Sequence, residues 1–259
     1  MSYRDILVFL DGSRDNEARL DFALSLAQEY RARLTGVDVS SPQAFTNEWS
    51  ERAENVGDVF AAKARASRLD SRFKVADREA IGWKNLYAHY ADLLIATQLN
   101  NESAGKILPA VPEGVLVSAG VPMIVLPHRR IPKPALQNIV IAWSPSGQAT
   151  RAVHDAMPIL AQARQISLFA FDPPSDERDA DIKLLCDHLL AHGLKAEVER
   201  WPDTGELSVI EALFASRAME DADMVVAGAY SHSRFREALL GGVTNDLLRQ
   251  FSVPVFVSH

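Results

Sequence analysis

The chain holds a single cysteine, Cys186, in 259 residues, so no disulfide can form within it. That excludes a disulfide-stapled scaffold and suits a reducing compartment. Long apolar runs are missing as well. None approaches the roughly 20 residues that span a bilayer, and no membrane partner is expected. The opening residues, Met1 to Asp5, lead into a strand-like stretch too short for a signal-peptide core, so the expected location is cytoplasmic. Positive charge is in the minority: 27 Lys and Arg stand against 34 Asp and Glu, a net charge of −7. Such a surface repels phosphate backbones, which argues against sequence-independent nucleic-acid binding. Glycine and proline, 13 each, are too few for a collagen-like or low-complexity chain. What is present is 47% apolar and 24% charged residues, the mixture of a soluble globular protein. The length suits one large domain or two small ones.

An internal repeat decides between these. Asp5-Ile6-Leu7-Val8-Phe9-Leu10-Asp11-Gly12-Ser13 returns as Asn138-Ile139-Val140-Ile141-Ala142-Trp143-Ser144-Pro145-Ser146, offset by 133 residues. Asp92-Leu93-Leu94-Ile95-Ala96 returns as Asp223-Met224-Val225-Val226-Ala227 at an offset of 131. Val121-Pro122-Met123-Ile124-Val125 returns as Val253-Pro254-Val255-Phe256-Val257 at 132. Blocks in the same order at a nearly constant offset imply two homologous domains, residues 1–130 and 135–259. The join, 127–134, carries Pro127, Pro132 and Pro134 and reads as a short, semi-rigid linker.

Apolar runs without alternation predict strands buried on both faces, as in a parallel sheet. They fall at 6–10, 34–39, 73–76, 93–96 and 121–126, then at 139–142, 166–171, 196–200, 224–227 and 254–257. Helical patterns lie between them. Residues 14–30 place Ala18, Phe22, Ala23, Leu26 and Ala27 at helical spacing, and 83–90 and 112–118 read as shorter helices. In the second half the helices are expected at 149–163, 176–192, 207–219 and 244–249. The predicted fold is α/β: two tandem Rossmann-like domains, each a five-stranded parallel sheet with helices on both faces. Such sheets bind ligands at the carboxyl ends of strands, where the strand order reverses.

One loop carries the most functional information. After the strand at 224–227 come Gly228, Ser231, Gly241, Gly242, Val243 and Thr244, ahead of the helix expected at 244–249. Glycines let a backbone approach a ligand closely, and the free amides of a helix start attract an anion such as phosphate. The hydroxyls of Ser231 and Thr244 would add hydrogen bonds. The loop resembles that of the universal stress protein family, whose nucleotide-binding members carry Gly-x2-Gly-x9-Gly-(Ser/Thr) here. This chain has Gly228, then Ser231 in place of the second glycine, Gly241, and Gly242 in place of Ser or Thr. The opening block and the strand Val253-Pro254-Val255-Phe256-Val257 are similar to the same family, in both halves. The resemblance implies the adenine nucleotide α-hydrolase-like fold, with ATP or another adenine nucleotide as ligand. It also implies an aspartate at the end of the first strand, near the adenine. Asp11 holds that place in the first half and Ser144 in the second, whereas the first half has no glycine loop after Ala96.

Other candidates have plainer explanations. His188 and His192 share a helix face but lack a third ligand at helical spacing, so no metal is expected. Asp176, Glu177, Asp179 and Asp181 suit a helix start. Ser144-Pro145-Ser146-Gly147 follows a strand as a nucleophile elbow would, but lacks Gly-x-Ser-x-Gly. Asp11 reads more readily as a turn or capping residue than as a contact to a base or ribose. Arg234 and Arg236 would neutralise a phosphate or simply face water. The polar stretch 43–69 reads as a helix over the sheet, with a lid or partner surface as the alternative.

The resemblance implies a cytoplasmic stress-response regulator rather than an enzyme. Weak adenine-nucleotide binding, if any, is expected in the second domain. Pairing through the last strands would make a pseudo-dimer within the chain, and a homodimer is a further expectation. The alternatives are a nucleotide-free scaffold that binds partner proteins and, behind it, a nucleotide hydrolase.

Overall fold

A computed structural model of the chain describes residues 2–13, 15–39, 47–76, 87–97, 119–127, 136–171, 175–202, 207–228 and 252–258. The chain forms two compact units, one on residues 2–134 with 248–254 and the other on residues 135–247 with 255–259. In the first unit the strands are β1 (Asp5–Leu10), β2 (Arg33–Asp38), β3 (Ser71–Val75), β4 (Leu93–Thr97) and β5 (Met123–Leu126). Helix α1 (Asn16–Tyr30) joins β1 to β2, and α2 (Asn47–Ala66) lies between β2 and β3. In the second unit the strands are β6 (Asn138–Trp143), β7 (Gln165–Phe171), β8 (Ala196–Trp201), β9 (Met224–Gly228) and β10 (Val255–Ser258). Its helices are α3 (Gly147–Leu160), α4 (Asp176–Ala191) and α5 (Val209–Ala215).

The first unit's strands run in the order β3-β2-β1-β4-β5, with parallel neighbours throughout. The second unit's run β10-β9-β6-β7-β8, again parallel. In each, the chain leaves a central strand for one neighbour and later returns to its other side. The strand order therefore reverses between β1 and β4, and between β6 and β9. The carboxyl ends of those pairs form the crevice where such sheets take ligands. Burial explains the apolar runs. Every residue of β4 and β5 is buried, as are Ile6 to Leu10 of β1. The outer strands β3 and β8 have no fully buried residue and carry Arg72, Lys74, Glu197, Glu199 and Arg200, charges that discourage edge-to-edge pairing.

A repeated hydrogen-bond device sets the central register. The Asp92 carboxylate accepts the backbone N–H groups of Arg4 and Asp5 at 2.7 and 3.0 Å, while its own N–H donates to the Asp5 carbonyl. Asp223 does the same for Gln137 and Asn138 at 3.0 and 2.8 Å, and its N–H donates to the Asn138 carbonyl. The aspartate that heads each 92–96-type block thus joins the starts of two neighbouring strands.

Three expectations change. The buried face of α1 holds Asn16, Arg19, Leu20, Phe22 and Ala23, whereas Ala18 points to solvent. The expected helix at 207–219 is broken: α5 ends at Ala215, Ser216 turns extended, and a 3-10 turn follows at Arg217–Met219. The carboxylate of Glu199 accepts the Arg217 and Ala218 N–H groups, which restarts the chain as a separate turn. Of the helix expected at 83–90, the described part is a 3-10 turn at Ala88–Tyr90. The linker at 127–134 beyond Pro127 and the helices expected at 112–118 and 244–249 lie outside the described residues.

Candidate functional site

Each unit presents a crevice at its point of strand reversal, and the two are built differently. In the first, Asp11 follows β1 directly and Thr97 ends β4. Arg19, one turn into α1 and 1% exposed, reaches between them. Its Nη1 donates to Thr97 Oγ1 at 2.6 Å. Its Nη2 donates to Asp11 Oδ1 at 2.7 Å and to Asn16 Oδ1 at 3.2 Å. Asn16 Oδ1 also accepts the Asp11 N–H at 3.0 Å, and Asp11 Oδ1 accepts the Ser13 N–H at 3.0 Å. Asp11 is thus both a turn residue and half of a buried ion pair. Burial tends to raise its carboxyl pKa. The Arg19 charge and the hydrogen bonds from Ser13 and Arg19 outweigh that, and hold it below the ordinary aspartate value. The Asp11 carboxylate is therefore engaged within the protein. Arg19 Nε is itself buried without a hydrogen-bond partner.

In the second unit, Ser144 follows β6 and is half-buried, and Gly228 ends β9. The register pairs Ala142 with Ala227, so both residues stand at the carboxyl edge of the β6–β9 pair. Helix α3 begins there. Its N-cap is Ser146, whose Oγ accepts the Ala149 N–H at 3.2 Å, so Ser146 has a capping role in the strand-to-helix turn. A Cβ on Gly228 would lie 2.5 Å from Ala149 N and 2.6 Å from the carbonyl carbon of Gln148. Gly228 is required by the close seating of α3 on β9, a packing reason that the loop pattern alone does not reveal. At the 133-residue offset from Arg19 stands Ala152, also 1% exposed. Ser144 and Gly228 are thus brought to one edge. Ser231, Gly241, Gly242, Val243 and Thr244 lie outside the described residues, as do Arg234 and Arg236.

The remaining candidates resolve into packing. Trp143 donates its indole N–H to Asp181 at 2.7 Å, and Asp179 pairs with Arg200, so the acidic start of α4 is bound to β6 and β8. Ser175 caps the same helix through the Arg178 N–H. His188 and His192 stack edge-on at 4.9 Å, and His154 of α3 lies 5.2 Å from His188, a neighbour that sequence spacing did not suggest. Among the described residues no group of three His, Cys, Asp or Glu side chains could hold a metal ion. Burial pushes the Cys186 thiol pKa up, away from reactive thiolate chemistry. No described helix is long and apolar enough to cross a membrane. Arg19, Asn16 and Thr97 escaped the sequence reading because an arginine beside Leu20 looks like a solvated helix residue. The available signal was its helical spacing from Phe22 and Ala23, together with a carboxylate at the preceding strand end.

Parallel strands in doubly wound order, each with a crevice at its reversal point, define a Rossmann-like α/β protein. Residues 135–259 match the model of the universal stress protein family. That match covers the second unit of the chain, and the fold of the whole chain is one seen in solved universal stress proteins. It is similar along its length to the crystal structure of a universal stress protein from Archaeoglobus fulgidus DSM 4304, with a TM-score of 0.72, 16% identity, and 98% and 97% of the two chains covered. A putative universal stress protein from Pseudomonas aeruginosa UCBPP-PA14 aligns with a TM-score of 0.64, 15% identity and coverages of 99% and 93%. A functionally unknown protein from Pseudomonas aeruginosa PAO1 aligns with a TM-score of 0.61, 15% identity and coverages of 99% and 92%. None of the curated proteins compared matches the chain.

Proposed function

We propose that this protein is a tandem universal stress protein, domains 1–130 and 135–259, that acts in the stress response by regulation and not by catalysis. Adenine nucleotide, ATP in the first instance, binds weakly and only in the second domain. The observation that carries the reading is the unequal filling of the two crevices. In the first, Arg19 occupies the space between Asp11 and Thr97 and takes the carboxylate that would otherwise meet a base. In the second, Ala152 stands at the offset of Arg19, and Ser144 and Gly228 line an edge beside the start of α3. Helix-start amides and the glycine loop would hold the phosphates there, through Gly228, Ser231, Gly241, Gly242, Val243 and Thr244. Ser144 would replace a carboxylate by a hydroxyl on the base side, which fits weak binding. A homodimer and a cytoplasmic place of action belong to the same reading.

Titration of nucleotide-stripped protein with labelled ATP tests it. One saturable site per chain is expected, lost in Gly241→Asp and Gly242→Asp. No binding at millimolar ATP would replace it by the scaffold reading, in which the inherited loop binds nothing. Turnover abolished by the same substitutions would make the protein an enzyme.

A further inference from the structure

At the amino ends of the first unit's strands, away from the crevice of Asp11 and Thr97, lies an open cleft of about 750 Å³. Four of its lining residues are arginines: Arg4 ahead of β1, Arg31 after α1, Arg33 at the start of β2 and Arg68 after α2. Two aspartates, Asp5 and Asp70, are the acidic lining residues. The cleft therefore carries a positive excess in a chain of net charge −7. Arg33 is ion-paired with Asp5. Arg4, Arg31 and Arg68 are exposed, and among the described residues their side chains have no ion-pair partner.

The backbone adds an independent observation. Arg31 and Arg68 have φ of 52° and 53°, the left-handed region in which glycine is favoured after a helix. Two of the three non-glycine residues with positive φ among the described residues are thus arginines lining one cleft. Complementing the helix dipoles does not explain both. Lys63 and Arg65 already lie in the last turn of α2, so Arg68 adds a charge at an unfavourable conformation. Strain of this kind collects where a side chain has a task. Gln28 donates to the Ser67 carbonyl at 3.3 Å, which ties the two helix ends together and fixes the spacing of Arg31 and Arg68.

We infer that this cleft is a binding site for a small, multiply charged phosphate compound, clamped by the guanidinium groups of Arg4, Arg31 and Arg68. Guanidinium forks match phosphate oxygens bidentately, and several free ones in one cleft favour more than one phosphate group. A cleft of this volume admits a ligand of metabolite size. The site is separate from the nucleotide site proposed above and does not depend on it.

Titration of the full chain with inorganic tripolyphosphate by calorimetry at low salt tests the assignment. Arg31→Gly and Arg68→Gly suit the purpose, because glycine relieves the left-handed backbone and the fold is expected to hold or gain thermal stability. Each should weaken binding about tenfold, and the pair should abolish it. The titration is repeated in a Gly241→Asp background, which removes any binding by the glycine loop and leaves that of the cleft to be read alone. No saturable binding to the unsubstituted chain overturns the inference. So does full affinity in the Arg31→Gly, Arg68→Gly double variant, or loss of binding in Gly241→Asp alone.

Discussion

Replacing Asp11 by Asn removes one charge and almost no volume, so its effect isolates the ion pair beneath the first crevice. Arg19 is 1% exposed and Asp11 16% by side chain, at 2.7 Å. Two opposite charges about 4 Å apart attract by roughly 4 kcal/mol at an effective dielectric near 20. Removing one partner of a buried pair costs about 3–5 kcal/mol, because the other charge stays buried. Asn keeps an amide oxygen for Arg19 and Ser13, and solvent reaches the edge of residue 11. A loss of about 3 kcal/mol is therefore expected, or roughly 10 °C in the melting of a unit of this size. Arg19→Met should cost less, about 1–2 kcal/mol, since the Asp11 carboxylate left behind keeps its Ser13 bonds and can hydrate. The folded pKa of Asp11 is depressed, so the pair's contribution is complete above the unfolded aspartate value, near 3.8. It is lost as pH falls through the lower folded value, and the gap between wild type and Asp11→Asn should close there. Urea-dependent hydrogen exchange read peptide by peptide is the assay, because two units need not unfold together. Loss of protection should concentrate in β1, α1 and β4. The reasoning is refuted if Asp11→Asn stays within about 1 kcal/mol of wild type, or if Arg19→Met is the more damaging change.

Three further outcomes follow from the same geometry. Gly228→Ala should destabilise the second unit by about 1–3 kcal/mol through the clash with α3 backbone, measured by thermal melting and exchange in β9. Ser208→Ala removes the capping box it forms with Glu211 at the start of α5, and should cost about 1 kcal/mol, seen as faster exchange at 209–215. Asp92→Ala frees the Arg4 and Asp5 N–H groups at the start of β1, and a loss of about 1 kcal/mol in urea unfolding is expected.

The strands were legible because burial on both faces removes alternation: β1, β4, β5, β9 and β10 are near-continuous apolar runs. The repeat was legible for a related reason, since Asp92 and Asp223 must stand where two strand starts meet. Helix faces were harder to read. Ala18 looked like core but faces solvent, and nothing in the pattern marked Arg19 as buried, because it is a buried carboxylate partner that makes an arginine a core residue. The break at Ser216 was hidden for the same kind of reason. Its cause is Glu199, a strand residue remote in sequence. At the candidate site, the pattern named Gly228 for its nearness to a ligand, whereas the contact it makes is with the start of α3.

The two crevices differ: the first is filled from within by Arg19, and the second is the one proposed to take a nucleotide. Hydrogen exchange of the full chain with and without saturating ATP addresses this proposal most directly. Added protection is expected at 144–149 and around Gly228, with residues 11–19 and 93–97 unchanged. Protection appearing at 11–19 and 93–97, with none at 144–149, would contradict it.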